Sequence, residues 1–318
     1  MMKPKISRTN LIISLVIIVL ALLISLSISY YALYKFTFAG DRIIYGKRTS
    51  EVAHEIREEL LKHENITALS FPSGPSKNAL NLVGFFVKRD KPMGTMVICH
   101  GYQSNKEFLY PYIDMFPDWN ILLFDFRAHG QSAGEITSVG CHEYKDVIAA
   151  VDYLKKSIYR SENSPKLPLV IIGISMGGAA TLKAAEINPE LCDAIIVDST
   201  YANLNATILQ SFSLKSKLPY YPFFPIIKQM FNYVANCDMS SMNPVESVRT
   251  IQKPIFFIHS CNDTFISPVN ALQLYANSVN KKSDIWIGPR CRHGFLYNEY
   301  PKLYQEKVNN FLHKAFTN

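Results

Sequence analysis

Leu167-Pro168-Leu169-Val170-Ile171-Ile172-Gly173-Ile174-Ser175-Met176-Gly177-Gly178-Ala179-Ala180 joins an apolar run to a segment of small residues through Gly-x-Ser-x-Gly. The run Leu167 to Ile172 has the length and branched character of a strand buried on both faces. The small residues after it suit a helix packed closely on that strand. A serine at such a junction sits in a tight, strained turn with its hydroxyl projecting, and side chains on the neighbouring turns would collide with the strand or helix. The pentapeptide alone is a weak signal, but strand, turn and helix together mark Ser175 as a candidate nucleophile. The alternative is a glycine-rich junction with an incidental serine.

Thr95 to Cys99, Ile121 to Phe124, Ala194 to Val197 and Ile255 to Ile258 are further short apolar runs, separated by longer segments of helical pattern. Ser283 to Ile287 adds a strand and Tyr300 to Phe316 a closing helix. Upstream, Ile66 to Phe71 and Asn81 to Lys88 flank the turn-rich Pro72-Ser73-Gly74-Pro75-Ser76, as in a hairpin. Ser50 to His63 reads as an amphipathic helix capped by Ser50, with Val52, Ile56, Leu60 and Leu61 on one side. The expectation is an α/β fold with a mostly parallel central sheet flanked by helices. In such sheets ligands bind beyond the carboxyl ends of the strands.

A serine hydroxyl needs a base, and the base needs a group that fixes its tautomer. Of the eight histidines, His293 follows the last expected strand, in a loop able to reach Ser175. His54, His63 and His313 fall on helices. His100 and His129 lie in loops near the same sheet edge, and His259 ends a strand as a core histidine would. Asp263 follows the adjacent strand and gives the order Ser, Asp, His. Asp198, ending the strand before, competes with it, although capping or binding loop amides is its blander role. Acyl transfer also needs amides aimed at a developing oxyanion. Met176 offers one and Tyr102, in His100-Gly101-Tyr102-Gln103, the other. There His100 is expected to position the loop by hydrogen bonding, and the Met176 and Tyr102 side chains simply to pack.

Ser175, Asp263 and His293 with His100-Gly101 resemble the α/β-hydrolase superfamily, over roughly Ile66 to Phe316. Asp125-Phe126-Arg127-Ala128-His129-Gly130-Gln131-Ser132 is similar to the D-x-R-G-H-G-x-S loop of esterase, lysophospholipase and serine aminopeptidase-like members. Ala128 stands where glycine is usual, which bears on the local turn. Met239 to Pro254 is similar to bacterial members and membrane-anchored eukaryotic ones, a few of which remove acyl chains from proteins or lipids. The resemblance implies the α/β-hydrolase fold and the chemistry better than the substrate.

Leu11 to Tyr34 is almost wholly apolar and long enough to cross a bilayer. Lys3, Lys5 and Arg8 before it favour an inside N-terminus and an extracytoplasmic catalytic domain, although Lys35, Arg42, Lys47 and Arg48 nearly balance them. A cleaved signal peptide is the rival reading, with Ser25, Ser27 and Ser29 as small residues. The expected organisation is a tail and transmembrane anchor over 1–40 and a hydrolase domain over 41–318. Residues 200–253 insert as a helical lid, whose Leu218-Pro219-Tyr220-Tyr221-Pro222-Phe223-Phe224-Pro225 either lines an acyl pocket, touches lipid headgroups or packs the lid.

The chain has 318 residues, 48% of them hydrophobic and 19% charged, which suits one large domain. Net charge is +7, but Lys and Arg are scattered without the basic stripe of a nucleic-acid site. Six cysteines are too few for a disulfide scaffold, and no C-x-x-C pairing with histidine suggests a metal, so neither metal nor cofactor is expected. Cys261 and Cys291 each precede a candidate site residue by two positions, and in an oxidising compartment they are candidates to bond. Three functions follow. A membrane-anchored hydrolase of carboxylic esters or thioesters, acting on small-molecule or lipid acyl groups, comes first. A serine peptidase of the same fold is second, and a non-catalytic binding module third.

Overall fold

Residues buried on both sides of one layer organise the molecule, for which the computed structural model describes residues 8–37, 46–158, 167–216 and 218–317. Strands β1 (Ile66–Ser73), β2 (Leu80–Val87), β3 (Thr95–Cys99), β4 (Asn120–Phe124), β5 (Leu169–Ile174), β6 (Ala194–Asp198), β7 (Ile255–Ser260) and β8 (Asp284–Gly288) form one sheet of order β1-β2-β4-β3-β5-β6-β7-β8. β1 and β2 form an antiparallel hairpin, and β2 runs antiparallel to β4. All remaining pairings are parallel. Alternate residues point to opposite faces. Thus Val97, Ile171, Ile195 and Phe257 enter one core layer, while Met96, Val170, Ile196 and Phe256 enter the other. This two-sided burial is why the inner strands read as continuous apolar runs.

Helices cover both faces. α1 (Arg8–Thr37), α2 (Gly46–Leu60), α3 (Glu143–Tyr153), α4 (Met176–Ile187), α5 (Leu204–Ser216), α6 (Tyr220–Val234), α7 (Val269–Asn277) and α8 (Pro301–Phe316) are the longer ones. Ser50 lies inside α2 instead of capping it, because the helix begins at Gly46. β5 starts at Leu169, two residues later than the apolar run suggests. Pro168 has no amide for a ladder, and its carbonyl accepts from Thr95 N at 2.9 Å.

α5 and α6 form an insertion between β6 and β7. α1 packs against α6, and Ser25, Ser29, Leu33 and Thr37 are its buried positions. Their spacing of four places them along one side of the helix. Leu33 belongs to the same core layer as Phe224 and Phe231 of α6. The Thr37 carbonyl accepts from Thr137 N at 2.9 Å. Lys3, Lys5 and Arg42 lie outside the described residues, as do the side chains of Lys35, Lys47 and Arg48.

The expectation for the cysteines is corrected. Cys141 and Cys237 form a disulfide, whereas Cys261 and Cys291 are free. Ser260 pairs with Gly288 across β7 and β8, so Cys291 stands two residues beyond the position opposite Cys261. Cys261 is exposed and Cys291 buried. Ser260 stitches these loops instead. Its Oγ accepts from Cys291 N at 2.9 Å and Asn262 N at 3.3 Å.

Candidate active site

Ser175 leaves β5 with φ 53° and ψ −114°, a backbone state that costs a non-glycine residue about 1–3 kcal/mol. The turn is held from both sides. Ser175 N donates to Asp198 O at 2.8 Å and Ser175 O accepts from Ala179 N at 3.1 Å. Close packing explains Gly177, where a Cβ would stand 2.6 Å from His100 O.

His293 enters from the loop after β8. Its Nε2 lies 2.8 Å from Ser175 Oγ and its Nδ1 2.6 Å from Asp263 Oδ2. An ionised carboxylate only accepts, so Nδ1 carries the proton and Nε2 is left to accept from the serine hydroxyl. Asp263 is held in turn, because Oδ1 accepts from Phe265 N and Ile266 N, each at 2.9 Å. The structure therefore brings Ser175, His293 and Asp263 into one hydrogen-bonded chain, from the ends of β5, β8 and β7.

A second imidazole shares the acid. His259 Nε2 lies 3.2 Å from Asp263 Oδ2 and 2.8 Å from Ile266 O. Burial by itself would raise the Asp263 carboxyl, but hydrogen bonds from His259 and His293 outweigh it and hold the group well below the ordinary carboxylate range. Reading His259 as a core histidine was right about its burial and missed this contact. The spacing His259 to Asp263 across a tight turn was its only trace in the sequence. Asp198 does not join the chain: its Oδ1 accepts from Ser199 Oγ at 2.9 Å, and Ser199 Oγ accepts from Gly294 N at 3.2 Å. It thus supports the His293 loop at one remove. Burial pushes the Asp198 carboxyl up to about 6.

The loop after β3 is built from buried polar groups. His100 Nε2 accepts from Phe126 N at 3.0 Å, and its Nδ1 donates to Gly101 O at 2.7 Å. Burial, with His129 alongside, pushes His100 down to about 3, so it is neutral. His129 Nδ1 donates to Arg127 O at 2.8 Å while Nε2 accepts from Gln103 N at 3.3 Å. Lys106, fully buried, donates to Glu107, Asp125 and Gln131 at 2.8 to 2.9 Å. Arg127 and Asp146 pair through two hydrogen bonds of 2.9 and 2.6 Å. Ala128 takes φ 59°, so the turn keeps the left-handed shape that glycine favours. A Cβ on Gly101 would lie 3.5 Å from that of Ser175, which puts this loop beside the serine. Met176 opens α4, where an amide has no partner four residues back in the helix. Its buried side chain lies 3.7 Å from Thr137 Oγ1. The Tyr102 hydroxyl accepts from Gln103 Nε2 at 2.8 Å.

Ser175 and His293 open into a cavity of about 970 Å³, walled by Tyr102, Phe108 and by Phe212, Ile227 and Phe231 of the insertion. Ala32 and Leu33 of α1 complete the wall, a contribution that nothing in the sequence pattern signalled. Among the described residues, no Asp, Glu, Lys or Arg side chain lines it. A second cavity of about 480 Å³, between Trp119 and Phe316, contains none of these groups. Among the described residues no three His, Cys, Asp or Glu side chains converge as a metal site.

The sheet, its helices and the polar chain at the ends of three adjacent strands define an α/β-hydrolase fold. Residues 135–318 match the model of the prolyl oligopeptidase family, and the chain belongs to that family. It is 28% identical over 269 residues to the uncharacterised protein YqkD of Bacillus subtilis, covering 84% of this chain and 85% of that one. It is 24% identical over 221 residues to the uncharacterised membrane protein YNL320W of Saccharomyces cerevisiae, covering 69% and 71%. Among solved structures, the Pyrococcus furiosus esterase PF2001 superposes with a TM-score of 0.63 at 24% identity, over 78% of this chain and 90% of the esterase. That likeness is one of fold.

Proposed function

We propose that the chain is a membrane-tethered serine hydrolase that cleaves carboxylic ester or thioester bonds. The observation that carries this reading is the His293 imidazole, hydrogen-bonded at once to Ser175 Oγ and to Asp263. In the mechanism His293 takes the Ser175 proton as Oγ attacks the acyl carbonyl, and the amides of Met176 and Tyr102 receive the oxyanion. Collapse transfers the proton to the leaving alcohol or thiol and leaves an acyl-enzyme. Water, deprotonated by the same imidazole, then releases the acid. Asp263 stays ionised and stabilises the imidazolium.

Ser175→Ala abolishes fluorophosphonate labelling and lowers ester turnover by at least about a thousandfold while the melting temperature holds. Labelling that survives this substitution would place the nucleophile elsewhere.

The family match favours a second reading, a serine peptidase. Against it stands the cavity lining, whose described residues offer no carboxylate to grip a peptide amine. Turnover of p-nitrophenyl esters against aminoacyl-amides separates the two, and no turnover of either, with no labelling, leaves a binding module.

The proposed organisation is an anchor within 1–40, a hydrolase domain over 41–318 and a lid over 200–253. The burial of Leu33 and Thr37 in the folded domain favours a retained anchor over a cleaved signal. The Cys141–Cys237 bond favours an oxidising, extracytoplasmic side for the domain. Protease shaving of intact cells tests that orientation, and a fully protected domain would reverse it.

A further inference from the structure

We propose that α1 is part of the substrate site as well as a tether. On this view the cavity takes the acyl chain of a lipid lying in the same bilayer, entering along the seam between α1 and α6. The inference rests on the serine-hydrolase reading and adds the substrate class.

Three observations meet here. α1 has 30 residues, about 45 Å at 1.5 Å per residue, against a hydrocarbon core of about 30 Å. Counted from Leu11, some twenty residues cross that core, so the segment from Tyr30 onward rises through the headgroup layer. Tyr30, Tyr31 and Tyr34 are exposed there, as aromatic side chains at a membrane interface are. Ala32 and Leu33, between these tyrosines, face the cavity that holds Ser175. The reacting hydroxyl therefore opens onto the level at which acyl ester bonds lie in a bilayer, and the described residues of the cavity wall include no Asp, Glu, Lys or Arg.

The lid sits at the same depth. Ser29 and Ser25 lie about one and two helical turns below Leu33 and are buried, on the side of α1 that packs along α6. The α6 helix thus reaches below the headgroups, with Tyr221 73% and Tyr233 88% exposed. A lipid chain leaving the bilayer at this seam passes from hydrocarbon to an apolar wall without crossing water. A water-soluble ester has no such route and gains nothing from α1.

The test uses the full chain in phospholipid nanodiscs and a fluorophosphonate whose long alkyl chain ends in a diazirine. Ser175 Oγ displaces fluoride from phosphorus, its proton leaving with the fluoride by way of His293. Photolysis then marks whatever surrounds the tail. Crosslinks to Ala32 or Leu33 and to α6 are expected. A labelled Ser175 whose crosslinks omit α1 overturns this inference alone, whereas an unlabelled Ser175 removes the hydrolase reading itself. In parallel, Leu33→Trp lowers the ratio of long-chain to short-chain ester turnover by about tenfold or more, the discrimination that a filled apolar pocket yields. Ile24→Trp, on the exposed side of α1 opposite Leu33, leaves that ratio unchanged. An unchanged ratio in a Leu33→Trp protein that still takes the short probe overturns the proposal. Faster turnover of an S-acylated peptide than of a lysophospholipid in the same nanodisc overturns the choice of a lipid.

Discussion

Asp263 accepts from two imidazoles and two amides, so it is held ionised on every side. Asp263→Asn keeps much of that geometry but donates where His293 needs an acceptor, and the imidazole turns to the wrong tautomer. We expect kcat to fall by about 10³ to 10⁴ with KM within a few-fold, measured on a short-chain ester. Asp198 is the opposite case. Burial raises its carboxyl to about 6, so between about pH 4 and 6 the folded state holds a proton that the unfolded chain has released. Its contribution to stability is full below about pH 4 and is lost as pH rises through 6. Asp198→Asn should therefore flatten this stretch of the stability profile and raise the melting temperature at pH 7.5, by the equivalent of up to about 3 kcal/mol. Asp263, held low, acts with the other sign and below this window. A melting temperature that falls at pH 7.5 would show that the Asp198 charge is needed by its neighbours. The two roles were legible only as a preference between Asp263 and Asp198. Position after a strand is readable from sequence, but the direction of a carboxylate depends on turns such as the one from Ser260 to Asp263.

The insertion of α5 and α6 is fastened at one end. Cys237 follows α6 and is bonded to Cys141, and the neighbouring His142 Nε2 donates to Ala235 O at 2.9 Å. The bond closes 96 residues of chain, and removing a disulfide of this kind costs about 2–4 kcal/mol. Cys141→Ser should lower the melting temperature under non-reducing conditions and abolish the further drop that a reductant gives the native chain. Equal sensitivity to reductant in both proteins would deny that this bond is formed. Sequence could not have found the pair. Neither cysteine stands near a candidate site residue, and only the fold brings the end of α6 to the loop after β4. The strands were legible within one or two residues, because two-sided burial writes itself as an apolar run. The helix starts were less so, as α2 and its misassigned Ser50 illustrate.

Across the molecule, α1 and the sheet with its helices share one hydrophobic layer: Leu33 packs in it, and the Thr37 carbonyl accepts a backbone hydrogen bond from Thr137 N. The apolar length of α1 was plain from sequence; its docking was not, since a uniformly apolar helix shows no preferred side. The buried series Ser25, Ser29, Leu33 and Thr37 has a consequence for how such a chain drifts over generations. An ordinary tether tolerates any greasy replacement, and a foreign one can be spliced in. Here a bulkier residue at position 29 must be answered by a smaller one on α6, so the two helices should change in concert. Paired exchanges between them across related chains would be the trace. Independent wandering at these four sites would mean that the helices touch without fitting.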